Sequence, residues 1–128
     1  MQVIDMEAPE GQLPQRGLQV SLFGSAIGSA YLSTLDEGEI CRLADRAGVG
    51  RSEIPAILKR VSDIRTMGYA HGGRAQEDIW SIGIPLPSLA VPTVLGLAGK
   101  RDFVCTRLAE LSQIMQAAID RWLNSSVD

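Results

Sequence analysis

Apolar residues fall at helical spacing in three stretches of this chain and run almost unbroken through a fourth. In the first, Ile40, Leu43, Ala44 and Ala47 predict a short helix with Asp36 as N-cap and Glu39 as capping partner, ended by Gly48 and Gly50. In the second, Ile54, Ile57, Leu58, Val61, Ile64 and Met67 take one side, and Lys59, Arg60, Asp63 and Arg65 the other. That pattern predicts a helix capped by Ser52 and stopped by Gly68. In the third, Leu108, Leu111, Met115, Ala118 and Trp122 predict a long final helix running from about Asp102. The fourth stretch, Ile79 to Gly99, has no charge at all. Its length approaches that of a membrane span, but Pro85, Pro87 and Pro92 remove backbone donors, and a Pro-Ser turn divides it. It reads as a hairpin of two strands, about 79–86 and 91–98. Strands apolar on both faces belong between helices, or beneath a ligand on one side.

The rest of the chain fills in around that hairpin. Residues 2–6 are a short strand candidate, 7–16 a loop, and 17–20 a second short strand candidate. A helix follows over Phe23–Leu35, whose first turns hold Gly24, Ser25, Ala26, Gly28, Ser29 and Ala30, with Ile27, Tyr31 and Leu35 as its apolar stripe. Two readings fit so bare a surface: close packing of the helix on a sheet, which is the commoner use of small residues, or a helix start offering N–H groups to an anion. Tyr69 and Ala70 predict a brief strand, His71–Arg74 a turn, and Ala75–Asp78 a polar approach to the hairpin. The sum is an α+β domain, a sheet with helices packed against it. No repeat or linker divides the chain, so residues 1–128 are expected to form one domain, with a core of about 1–124 and a frayed tail at 125–128.

Composition narrows the chemistry. A hydrophobic fraction of 45% is ordinary for a globular domain, and a formal net charge of −3 argues against a phosphate-gripping face. Cys41 and Cys105 fall in no metal or redox spacing, and one histidine, His71, is too few for a metal centre, so no metal and no cofactor is expected. The stretch from Gly24 to Ser29 lacks the lysine of a phosphate loop, and no nucleophile stands beside a base, so no enzyme is expected. The N-terminus lacks the features of a signal peptide, which makes a reducing cytoplasm the simplest compartment.

Four segments resemble, in order, the effector-binding domain of IclR-type bacterial transcriptional regulators. Residues 21–32, SLFGSAIGSAYL, are similar to that family's P-L-H-x-T-A-x-G-K-A-x-L stretch. Residues 64–70, IRTMGYA, resemble its I-R-x-x-G-Y-A helix end; 81–86, SIGIPL, its C-I-A-A-P-V strand; and 94–99, VLGLAG, its A-A-L-S-V-S-G strand. The helix from about Asp102 resembles the closing dimer-side helix.

The resemblance implies a GAF- or PAS-like, profilin-like α+β fold, truncated at the N-terminus, that senses a small organic acid. It implies contact with DNA only through a winged helix-turn-helix domain that lies outside this chain, no membrane contact, and a homo-oligomer, dimer or tetramer, since missing strands leave a sheet edge open. Carried over position by position, Ser25, Ala26 and Ile27 would face the ligand carboxylate, with Ser81 on one strand and Ala98 and Lys100 at the end of the other. Leu13, Ile79 and Trp80 would be apolar walls. The sequence departs from the family pattern at His71-Gly72-Gly73-Arg74, where an acidic stretch is usual, at Ala98 and Lys100, where serines are usual, and at Ser29 in place of lysine. Lys100 or His71 is then expected to supplement the helix start in neutralising an acid. The alternative is an association module that has lost its ligand; a third reading is a small enzyme using Cys41 or Cys105.

Overall fold

The computed structural model describes residues 22–73, 78–86 and 92–125. Helices α1 (Ala26–Leu32), α2 (Glu37–Arg46) and α3 (Ile54–Met67) come first. Strands β1 (Ala70–Gly72), β2 (Ile79–Leu86) and β3 (Thr93–Lys100) follow, then helices α4 (Arg101–Cys105) and α5 (Leu108–Ser125). The strand candidates at 2–6 and 17–20, and Leu13, lie outside the described residues.

Local chemistry sets most of these limits. Ser25 caps α1, its Oγ accepting from the Gly28 N–H at 2.9 Å. The Asp36 carboxylate caps α2 by accepting from the Glu39 N–H at 2.8 Å. That bond, with Arg42 nearby, holds its carboxyl below the ordinary carboxylate range. Ser52 does not cap α3: it sits in a 3₁₀ turn, Arg51–Glu53, and Pro55 in the first turn fixes where the α-helix begins. Gly68 ends α3 in the left-handed region at φ 90, its N–H donating to the Ile64 carbonyl at 2.7 Å.

The strands pair antiparallel in the order β1-β2-β3. The second strand of the hairpin starts two residues later than its sequence suggested, at Thr93, directly after Pro92. Its register with β2 runs from Leu86↔Thr93 to Ile79↔Lys100, so Lys100 is a strand residue. His71 and Gly72, expected in a turn, belong to β1 and pair with Ile82 and Ser81. The expected single final helix is two: Thr106 caps α4, and its hydroxyl donates to the Asp102 carbonyl at 2.7 Å, a side-chain bond that favours a break.

Each face of the sheet is covered differently. On one face Ile82, Ile84 and Leu86 of β2 form a cluster with Val104 of α4 and Met115 and Ile119 of α5. On the other, α1 lies against Gly83 and Gly96: a Cβ on Gly83 would stand 3.1 Å from the Ala30 Cβ and Ile27 Cα and 3.2 Å from the Ala26 carbonyl. The small residues of α1 therefore serve close packing on the sheet, the first of their two expected uses. Behind α1, Leu32, Leu35, Ile40 and Val61 join it to α2 and α3. Burial on both faces holds for β2, whose centre is fully enclosed, but β3 leaves Leu95 37% exposed. Met67, expected in the α3 stripe, is 58% exposed.

Candidate functional site

A cleft of about 370 Å³ opens where α1 begins, between α3 and β1. Its walls are Gly24, Ser25, Ala26 and Ser29 from the first helical segment, Arg60, Asp63, Ile64 and Met67 from α3, and the stretch from Tyr69 to Gly73. The separation of its two helical walls is fixed at the far end of α1. There the Arg65 guanidinium of α3 donates to the carbonyls of Ser33, at 3.2 Å, and Leu35, at 2.6 Å, which the end of α1 leaves free.

Polar groups converge in this cleft. The Ser29 hydroxyl, on a residue only 3% exposed, is approached by Nη1 of Arg60 at 3.5 Å. Among the described residues Arg60 forms no ion pair, and it lines the cleft. Asp63 is held by Lys59 at 3.3 Å across an exposed helix turn. A guanidinium beside a buried hydroxyl, a short-helix start and glycine backbone can receive a carboxylate in charge-assisted hydrogen bonds.

The residues named from the sequence divide into three groups. Ser25, Ala26 and His71 line the cleft. Ile27 faces the sheet instead, its Cδ1 against Gly96. Because side chains alternate along a strand, pairing places Ile79 and Ser81 of β2 on the same sheet face as Lys100 and Ala98 of β3. This is the α1 face, marked by Gly83 and Gly96. Gly72 in the cleft wall pairs with Ser81, and Ser81 with Ala98, so one row across the sheet runs from the cleft to those positions, which do not line it. Trp80 belongs to the opposite face: its Nε1 donates to Nδ1 of His71 at 3.2 Å, and Arg101 stands 5.4 Å over its ring. The His71 ring is thus engaged with Trp80 even though the residue borders the cleft. Leu13 lies outside the described residues.

Sequence reading missed Arg60, Asp63, Ser29 and Tyr69 as lining residues. Only Ser29 had a signal, as one of the small residues near the helix start; Arg60 and Asp63 read as solvated charge. Among the described residues no group of three His, Cys, Asp or Glu side chains is placed to hold a metal ion, and no helix is long and apolar enough to cross a membrane.

Helices on both faces of a small antiparallel sheet place the chain in the α+β class. No protein-family profile and no curated protein matches the sequence. Solved structures do. An IclR-family transcriptional regulator from Brucella abortus superposes with a TM-score of 0.74 at 20% identity, over 97% of this chain and 51% of its own. The effector domain of an IclR regulator from an Acinetobacter species gives 0.59 at 18% identity, over 91% and 69%. An IclR-family regulator from a Rhodococcus species gives 0.64 at 21%, over 85% and 42%. The fold is therefore that of the effector domain of IclR-family regulators, as the sequence resemblance led us to expect, and the chain spans about half the length of the first of them. All three neighbours are described as transcriptional regulators.

Proposed function

We propose that this chain is the ligand-sensing domain of an IclR-type transcriptional regulator. It binds a small organic acid and passes its occupancy, through a winged helix-turn-helix domain outside these 128 residues, to DNA in the bacterial cytoplasm. The observation that carries the reading is the Arg60 guanidinium, free of any ion pair among the described residues and set against the buried Ser29 hydroxyl in a cleft beside the start of α1. At about 370 Å³ the cleft is at the small end of ligand pockets, which suits a small acid rather than a large cofactor. Calorimetric titration of small aliphatic and aromatic acids tests it. Binding that Arg60→Gln weakens at least tenfold is expected; affinity untouched by that change removes the cleft from the role. In the same titration a Lys100→Ala, His71→Ala double variant reports on the strand row and the histidine.

A second reading, association without a ligand, is supported by α5, which leaves Ile114 56% and Trp122 52% exposed two turns apart. In it the hairpin and last helix join copies of the chain into a dimer or tetramer. Sedimentation of the intact protein with and without Trp122→Glu is the check: a dimer that the charge dissociates, together with no acid bound, favours this reading.

A further inference from the structure

Arg60 and Asp63 stand three residues apart on α3, a spacing at which opposite charges on a helix usually meet, and both line the cleft. They do not pair. Arg60 reaches across to Ser29 on α1, at 3.5 Å, while Asp63 turns to Lys59 at 3.3 Å. The side chains of Lys59 and Asp63 are 78% and 64% exposed, and a pair so open to water is held weakly, so a competing cation displaces Lys59 readily. The cleft thus presents a cationic anchor and an anionic one on the same wall, with apolar surface from Ile64 and Met67 on that helix. Opposite them, a Cβ on Gly72 would meet nothing within 4 Å among the described residues, which leaves room for a ligand body.

We infer that the ligand of this cleft is a small zwitterion, an amino acid or related ammonium carboxylate, bound with its carboxylate on Arg60 and Ser29 and its ammonium on Asp63. This rests on the sensing role proposed above and sharpens it, because an acid without an ammonium group uses only half of the charged wall. An uncompensated carboxylate ligand would also bring a second negative charge close to Asp63, which disfavours it.

Matched pairs of probes separate the two claims. Alanine against propionate, leucine against 4-methylpentanoate and phenylalanine against 3-phenylpropionate differ in each pair only by the ammonium group, and are titrated into the intact chain by calorimetry. At least one amino acid is expected to bind about tenfold tighter than its amine-free partner. Asp63→Asn should abolish that preference while leaving the weaker binding of the plain acid, and Arg60→Gln should weaken both. Circular dichroism of both variants confirms that these exposed substitutions leave α3 folded. If the plain acids bind as well as or better than their amino partners, or if Asp63→Asn leaves the preference intact, the zwitterion is excluded and sensing of an acid stands. If no probe of either kind binds, both fall together.

Discussion

The two faces of the sheet are held by opposite means. Against α4 and α5, β2 turns Ile82, Ile84 and Leu86 into a cluster of large side chains; against α1 it turns Gly83, where helix backbone comes to rest almost on strand backbone, and β3 turns Gly96, which the Ile27 side chain covers. One face is stabilised by buried apolar volume, the other by close approach, which only residues without bulk permit. The consequence is positional. Side-chain packing tolerates small shifts of a helix, whereas α1 has one place to sit, and the start of that helix helps to form the cleft. The cleft proposed to bind a ligand lies on the side where geometry is set most tightly.

The contrast can be broken from either side. Ile82→Ala empties a site of zero exposure in the large-residue cluster and should cost about 2–5 kcal/mol in chemical denaturation. Gly83→Ala adds one carbon 3.1 Å from two atoms of α1, one of them backbone, and should cost about 1–3 kcal/mol, with any ligand affinity falling as α1 is pushed away. Gly96→Ala sharpens the comparison, because its new carbon would meet the Ile27 Cδ1, the far end of a flexible side chain. That end can rotate aside, so a loss below about 1 kcal/mol is expected by the same denaturation series. If Gly96→Ala proves as costly as Gly83→Ala, close backbone approach is not what distinguishes the α1 face.

The smallest effect lies away from both faces. Asp36 has its carboxyl lowered by the Glu39 N–H bond, so its contribution is present above the ordinary carboxylate range and is lost as pH falls through the lowered value. Asp36→Asn should therefore flatten the acid limb of a stability curve measured between about pH 5 and pH 2, and leave neutral stability little changed, since Asn also caps helices well.

Much of this arrangement is legible in the sequence where a period or a cap carries the signal. The α2 and α3 stripes, the Asp36 cap and the Gly68 stop all have local causes and occur where the residues suggest, except that Ala47 and Met67 at the stripe ends are exposed. Legibility fails where the cause is distant. Strands apolar on both faces give no alternation from which to fix a register, so β3 is displaced by two residues and Lys100 joins it. His71 and Gly72 look like a turn, yet pairing with Ser81 and Ile82 overrides that preference. The break between α4 and α5 has no Gly or Pro to announce it. The order of IclR-like segments leads to the right fold, but the carried-over positions distribute themselves over the cleft, the α1 face of the sheet and, for Trp80, the opposite face. Arg60 escaped notice because a charge on a helix's polar side gains meaning only from Ser29, thirty-one positions earlier in the chain.

Arg65 carries a mechanical implication. Its two bonds to the carbonyls of Ser33 and Leu35 tie the far end of α1 to α3, the helix that also carries Arg60. A molecule drawing Arg60 toward the mouth would pull on the same α3 that holds this fastening, one and a half turns further along. Under the proposed sensing role, occupancy of the cleft would bear on this fastening, beside the junction of α1 and α2.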